Sequence, residues 1–183
     1  MTVLRIQAGP YEFEARMEEA LAPKTCAKFA SLLPYKAQIV HVRWSGEGCW
    51  IPLGGLDLGL GYENHTSHPA PGDIIVYPGG ISETEILLAY GAVSFASKVG
   101  QLAGNHFLTV TTGRENLAPL GKLTLWSGAQ DIVFERSSAC LGLSVPRRIC
   151  GFPRFLDLPN IAPAVRLRSI EIGEAIDPRQ PAA

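Results

Sequence analysis

Long apolar runs are missing from this 183-residue chain, and none approaches the roughly 20 residues that a bilayer span needs. No membrane partner is expected. Charge is scarce as well: 18% of residues are charged, the formal net charge is -1, and no Lys/Arg cluster supplies the electrostatic footprint of nucleic-acid binding. Nucleic acid is therefore not expected as a partner. The opening Thr2-Val3-Leu4-Arg5-Ile6 reaches Gly9-Pro10 without the basic segment and apolar stretch of a signal peptide, which points to the cytoplasm.

Several motifs are also missing. The four cysteines, Cys26, Cys49, Cys140 and Cys150, form no C-x-x-C pair and read as reduced, structural thiols. The Gly-rich stretch at residues 54–61 lacks G-x-G-x-x-G spacing and is followed by no helix signal, so it reads as a flexible loop. No G-x-S-x-G elbow, internal repeat or interdomain linker occurs. Asn64-His65-Thr66 matches a glycosylation acceptor, but without secretion it has no consequence.

What is present is a hydrophobic fraction of 46%, enough for one substantial core and some apolar surface for self-association as a homo-oligomer. One domain over residues 1–176 is expected, with a Pro-rich flexible tail at 177–183. Leu4, Ile6 and Ala8 alternate with polar residues, as do Tyr11, Phe13, Ala15 and Met17 after Gly9-Pro10, which is the pattern of a β-hairpin. Pro23 then opens a helical stripe of Cys26, Phe29, Ala30 and Leu33 that Pro34 stops. Strand-like segments follow at residues 39–44, 48–53, 73–77, 84–90, 106–112, 122–126 and 166–172, separated by Gly and Pro. Many short strands and few helices predict a closed barrel or a sandwich. The stretch 128–163 carries the weakest pattern.

The hairpin, the helix with Pro23-Lys24-Thr25-Cys26-Ala27-Lys28-Phe29 and the strand with His41-Val42-Arg43 together resemble the opening of a cyclophilin. Glu63-Asn64-His65 and Pro71-Gly72-Asp73-Ile74-Ile75-Val76 look like later segments of that family. Bacterial proteins of cyclophilin-like fold and unassigned activity are similar in Gly72-Asp73 through Tyr77-Pro78-Gly79-Gly80, in Arg43-Trp44-Ser45-Gly46-Glu47, and from Gly100 to Phe107. The resemblance covers residues 1–126. It implies a mainly β fold, a closed antiparallel cyclophilin-like β-barrel of about eight strands with one short capping helix. The sequence departs from true cyclophilins where their proline pocket lies. Gly48-Cys49-Trp50-Ile51-Pro52 has no Phe-Met-x-Gln, and Asn116 to Lys122 lacks the later aromatic and histidine. Of the family's site only Arg43, and with it Phe107, carries across, so prolyl isomerisation is in doubt.

The residues that remain are weighed against plainer readings. If Val40, Val42 and Trp44 fill the barrel, alternation turns His41 and Arg43 outward, where a guanidinium can grip a carbonyl or carboxylate; the alternative is a solvated arginine paired with Glu47 or another acid. His65 and His68 share a loop with Glu63, and Gln101, Asn105 and His106 could line a polar pocket walled by Phe107 or Trp50. A metal held by His65 and His68 would need a further ligand from His106 or Glu85, and a loop ordered by its own hydrogen bonds is the better reading. Glu83 and Glu85 at i and i+2 read as solvent-facing acids, although Glu85 beside so apolar a strand stands out.

The expected function is binding of a small polar molecule or short peptide on a barrel face formed by Arg43, Trp50, His65, His68, Gln101, Asn105 and His106, with neither cofactor nor metal. The alternative is an enzyme on the same scaffold, a weak prolyl isomerase or a hydrolase or isomerase of a small carboxylate. A cupin is a third reading, but the H-x-H pair of cupins is missing.

Overall fold

A computed structural model describes residues 1–137. The expected strand at 166–172, the tail at 177–183, the domain limit at 176 and the part of 128–163 beyond residue 137 lie outside the described residues.

The alternation at the start of the chain produces β1 (Val3–Ala8) and β2 (Tyr11–Met17), paired antiparallel with Leu4, Ile6, Phe13 and Ala15 turned into the core. Next comes α1 (Pro23–Ala30), with Pro23 in the first turn, where a missing N–H costs no bond. It ends before Leu33, which is only half-buried against the core, while Cys26 and Phe29 are buried. The Phe29 ring meets Tyr35, Phe107 and Phe134 edge-on, with centroids 5.6, 4.9 and 5.2 Å away. Such pairs contribute about 0.5–1.5 kcal/mol each beyond their buried area.

Nine more strands follow: β3 (Tyr35–His41), β4 (Gly46–Gly54), β5 (His65–Thr66), β6 (Asp73–Tyr77), β7 (Thr84–Val93), β8 (Ala96–Ser97), β9 (Gly100–Gln101), β10 (Gly104–Thr112) and β11 (Gln130–Arg136). Eight of the eleven strands join in the order β2-β1-β11-β3-β4-β7-β6-β10, all antiparallel, and β10 returns to pair with β2. That last pairing closes the sheet, so the protein is the mainly β, closed antiparallel barrel that the pattern predicts. The two-residue β5 extends the β10 edge, and β8 and β9 form a separate small hairpin.

The strand predicted at residues 122–126 is instead part of a second helix, α2 (Leu117–Ser127). Lys122 to Trp126 alternates over too short a span to decide. The buried set is Leu117, Leu120, Gly121 and Thr124, which is a helical stripe, and Pro119 falls in the first turn. α1 joins the end of β2 to the start of β3, and α2 joins the end of β10 to the start of β11. Because β2 runs antiparallel to β10 and β3 to β11, the two helices stand at opposite ends of the barrel.

The inner core continues with Ile39, Cys49, Ile51, Ile86 and Leu88. On the other face of β6 and β7 lies a second apolar cluster containing Ile75, Tyr77, Leu87, Ala89, Phe95 and Leu102, with Val42 packed at its edge. This corrects the facing expected for β3. Ile39 enters the core, Val42 joins the outer cluster and Trp44 is 59% exposed, so Val40, Val42 and Trp44 do not fill the barrel. Among the described residues no helix is long and apolar enough to cross a membrane.

Candidate functional site

Arg43 lies in the bend between β3 and β4, where it lines a cavity of about 240 Å3 on the outer face of the barrel. Four segments build the walls. The bend contributes Val42, Arg43, Trp44 and Ser45; β4 contributes Trp50, beside Leu87 of β7; and the start of β7 contributes Glu85, with Ser82 and Glu83 on its approach. The β8 turn closes the ring with Ala96, Ser97 and Lys98. Ser45, buried at 3% exposure, clamps the first wall to the last: its hydroxyl donates to the Ala96 carbonyl at 3.0 Å and accepts from the Ala96 N–H at 3.1 Å.

Two cations and two acids line this cavity without pairing. Arg43, Lys98, Glu83 and Glu85 take part in none of the ion pairs among the described residues. Glu47, the partner named in the alternative reading of Arg43, instead accepts the Ala92 N–H at 2.8 Å. Glu85 is 7% exposed, flanked across the ladder by Pro52 and Tyr77. Burial, with the nearby charge of Glu83 adding to it, pushes its carboxyl up to about 7. At neutral pH that group is divided between acid and carboxylate, the condition a general acid–base needs.

The other predicted site residues are elsewhere. Gln101 and His68 meet each other, Nε2 to Nε2 at 3.4 Å, on an exposed surface. His65 is exposed beside the Tyr62 ring, with centroids 5.4 Å apart. Asn105 is wholly buried, and its side chain is spent on structure: Oδ1 accepts the Glu63 N–H, and Nδ2 donates to the Thr25 hydroxyl and the Gly61 carbonyl. Glu63 in turn accepts the Thr25 N–H, capping α1, which has no side-chain cap of its own. Asn64 donates to the His106 carbonyl at 2.8 Å. The loop from Gly61 to Asn64 is thus pinned to the barrel, and its polar residues are the pins.

His106 belongs to a second polar network. Its Nε2 lies 3.3 Å from Asp73, 3.1 Å from the Leu108 carbonyl and 3.0 Å from the Thr109 hydroxyl, which donates to Glu18. Carboxylate and hydroxyl share one ring nitrogen, so the imidazole is not strung between them as a proton relay requires. The network straddles the register shift between His106 and Leu108, where β10 bulges against β6. Of the seven predicted residues, only Arg43 and Trp50 are brought into one cavity.

Residues 4–136 match the family described as a protein of unknown function (DUF3830). The chain belongs to that family. Two solved structures share the barrel. McbB in complex with tryptophan is 14% identical with a TM-score of 0.56, over 76% of this chain and 46% of McbB, so the chain spans less than half of McbB's length. The solution structure of the hypothetical protein AF2241 from Archaeoglobus fulgidus is 21% identical with a TM-score of 0.51, over 74% of this chain and 95% of AF2241. At those identities the likeness establishes the fold alone. No curated protein matches the chain.

Sequence reasoning about this family member missed Lys98 and Ser45 and set Glu85 aside. Lys98 sits in an ordinary-looking Ser-Lys-Val-Gly turn and carries no signal of its own. Glu85 carried one: an acid opening the apolar run Ile86-Leu87-Leu88-Ala89 is placed where burial is unavoidable. Cys26 and Cys49 are buried, and burial pushes both thiols up to about 11, away from nucleophilic use. Among the described residues no three His, Cys, Asp or Glu side chains converge as metal ligands would.

Proposed function

We propose that this barrel binds a small carboxylate-bearing molecule on its outer face, in the cavity between Arg43, Lys98 and Trp50. The observation that carries the reading is an arginine at the rim of a concave site with no acid committed to it among the described residues. A planar guanidinium matches a carboxylate with two parallel hydrogen bonds, and Lys98 adds a second positive charge. Trp44 and Trp50 offer flat apolar surface for the rest of the ligand. A volume of about 240 Å3 suits a metabolite-sized molecule better than an extended peptide. The outer-face position of the groove is in keeping with the cyclophilin-like arrangement that the opening motifs suggest.

Titration of the purified protein with pyruvate, phenylpyruvate and phenylacetate, followed by tryptophan fluorescence and calorimetry, tests this. A charged hydrogen bond is worth roughly 1.5–3 kcal/mol, so Arg43→Ala should weaken binding about tenfold or more. Binding of none of the three, or binding that Arg43→Ala leaves unchanged, would overturn the proposal.

A further inference from the structure

The partly buried acids of the described chain have evident structural work, with one exception. Glu63 caps α1, Glu18 holds Thr109 and Arg16, and Asp73 faces His106 while its second oxygen accepts the Ala70 N–H. Glu85 is the most buried of the acids, yet it accepts no hydrogen bond from the described residues and opens on the cavity that Arg43 and Lys98 line. A buried carboxyl that accepts no hydrogen bond from the described residues and borders a cavity lined by cations is positioned to act on what the cavity holds.

We propose that Glu85 is the proton-transfer group of an isomerase site, moving a proton at the carbon next to the carbonyl of a small 2-oxo acid whose carboxylate Arg43 binds. This rests on the carboxylate-binding reading above and names the chemistry of that same site. In the step, a carboxylate oxygen of Glu85 takes the proton from C3 of the 2-oxo acid. The C3–H electron pair becomes the C2=C3 double bond, and the carbonyl π pair moves onto oxygen. The enolate charge that results meets the positive charge of Arg43 and Lys98, so stabilisation grows as the charge develops. Glu85 then returns the proton to the enolate oxygen, giving the enol, or to C3, restoring the keto form. No bond is made to the protein, and no oxidant, reductant or co-reactant enters. The near-neutral titration of Glu85 allows the same group to take the proton and give it back.

The test uses the full chain with phenylpyruvate in deuterated, weakly buffered water. Proton NMR follows loss of the C3 signal, and ultraviolet absorbance follows enol formation. Wild-type protein should exchange the C3 protons well above the buffer rate, with a rate that rises with pH and levels off above about 7. Glu85→Gln should lower the protein-dependent rate by about 100-fold or more, while phenylpyruvate still binds within a few-fold of wild type. If phenylpyruvate binds in an Arg43-dependent way but exchanges no faster than in buffer, the proton-transfer role is overturned and the binding site stands. Glu85→Gln exchanging like wild type overturns it as well. If phenylacetate alone binds, the proton-transfer role falls and carboxylate binding stands; if none of pyruvate, phenylpyruvate and phenylacetate binds, both proposals fall together.

Discussion

Nε2 of His106 lies 3.3 Å from Oδ1 of Asp73, joining β10 to β6 at the bulge that breaks their register. Burial works against the charged imidazole, but the hydrogen bond and charge of Asp73, with the charge of Glu18 behind them, outweigh it and hold the group above its ordinary value. A raised folded value means that the contribution to stability is complete below the unfolded value, near 6.5, and is lost as pH rises through the folded one. His106→Gln should therefore cost the most thermal stability at about pH 5.5 and the least at about pH 8.5. Melting curves of both proteins across that range check it; a gap that stays constant with pH contradicts the assignment.

Glu85 predicts the opposite mutational effect in the same window. Its carboxyl is pushed up to about 7 in the folded protein, so the fold favours the protonated form and loses stability as pH rises through that value. A rise from 4.5 to about 7 corresponds to something on the order of 3 kcal/mol once the group is charged. Glu85→Gln, which keeps the shape and removes the charge, should raise the melting temperature at about pH 8.5 and leave it nearly unchanged below the ordinary glutamate range. Chemical denaturation at both pH values reads the difference. A variant no more stable than wild type at the higher pH would show that the carboxylate is solvated rather than held dry.

Much of the fold was legible because single-face burial writes its period into the chain. β1, β2 and β6 fall where alternation and Gly or Pro boundaries put them, and α1 where Cys26 and Phe29 repeat at helical spacing. α2 was not legible, since Leu123 and Leu125 alternate with polar neighbours while the residues that face the barrel include a glycine and a threonine. β11 hides in a similar way: only Ile132 and Phe134 mark its inner face. Of the candidate cavity, Arg43 and Trp50 alone were legible. Asn105, Glu63 and Asn64 have the residue types of a binding loop, but in the fold those types cap a helix and pin a loop. Which role a polar cluster plays depends on what comes to face it from 40 or so residues away.

Gly121 is required by contact. A Cβ there would stand 2.5 Å from the Tyr90 ring, whose hydroxyl is 2.8 Å from Nε2 of His41. Gly121→Ala gains roughly 1 kcal/mol of helix propensity but overpacks the joint between α2 and the barrel, which costs about 1–3 kcal/mol. A net loss of up to about 2 kcal/mol is expected in urea unfolding. Gly55→Ala, with nothing within 4 Å, serves as the neutral comparison.

Prolyl isomerase activity should be absent. The barrier to rotation about the peptide bond is about 18–20 kcal/mol, and lowering it calls for an apolar cup around the proline ring beside the arginine. Around Arg43 the apolar surface of Trp44 and Trp50 is interrupted by Glu83, Glu85, Lys98 and three serines, so the walls close no apolar cup. Line-shape or exchange NMR on an X-Pro peptide should show the uncatalysed rate; acceleration abolished by Arg43→Ala would contradict this.

Arg43 and Asn105 separate binding from architecture. Asn105 has no exposed surface and satisfies three groups at once, the Glu63 N–H, the Thr25 hydroxyl and the Gly61 carbonyl, at 3.1, 3.1 and 2.8 Å. Removing its amide strands the buried Thr25 hydroxyl, leaves the part-buried Glu63 N–H and the Gly61 carbonyl without that partner, and opens a cavity; an unsatisfied buried group costs about 1–3 kcal/mol. Asn105→Ala should therefore destabilise by about 3 kcal/mol or more and loosen the start of α1 through Glu63, visible as faster amide exchange at Thr25. Arg43 touches no acid among the described residues and is exposed, so Arg43→Ala should change stability by less than about 0.5 kcal/mol. The contrast is decisive for the site. A large loss on Arg43→Ala would make the guanidinium a structural strut, leaving the cavity without a reserved cation. A small loss on Asn105→Ala would mean that the loop from Gly61 to Asn64 is held by other contacts and that its polar residues are available to a ligand after all.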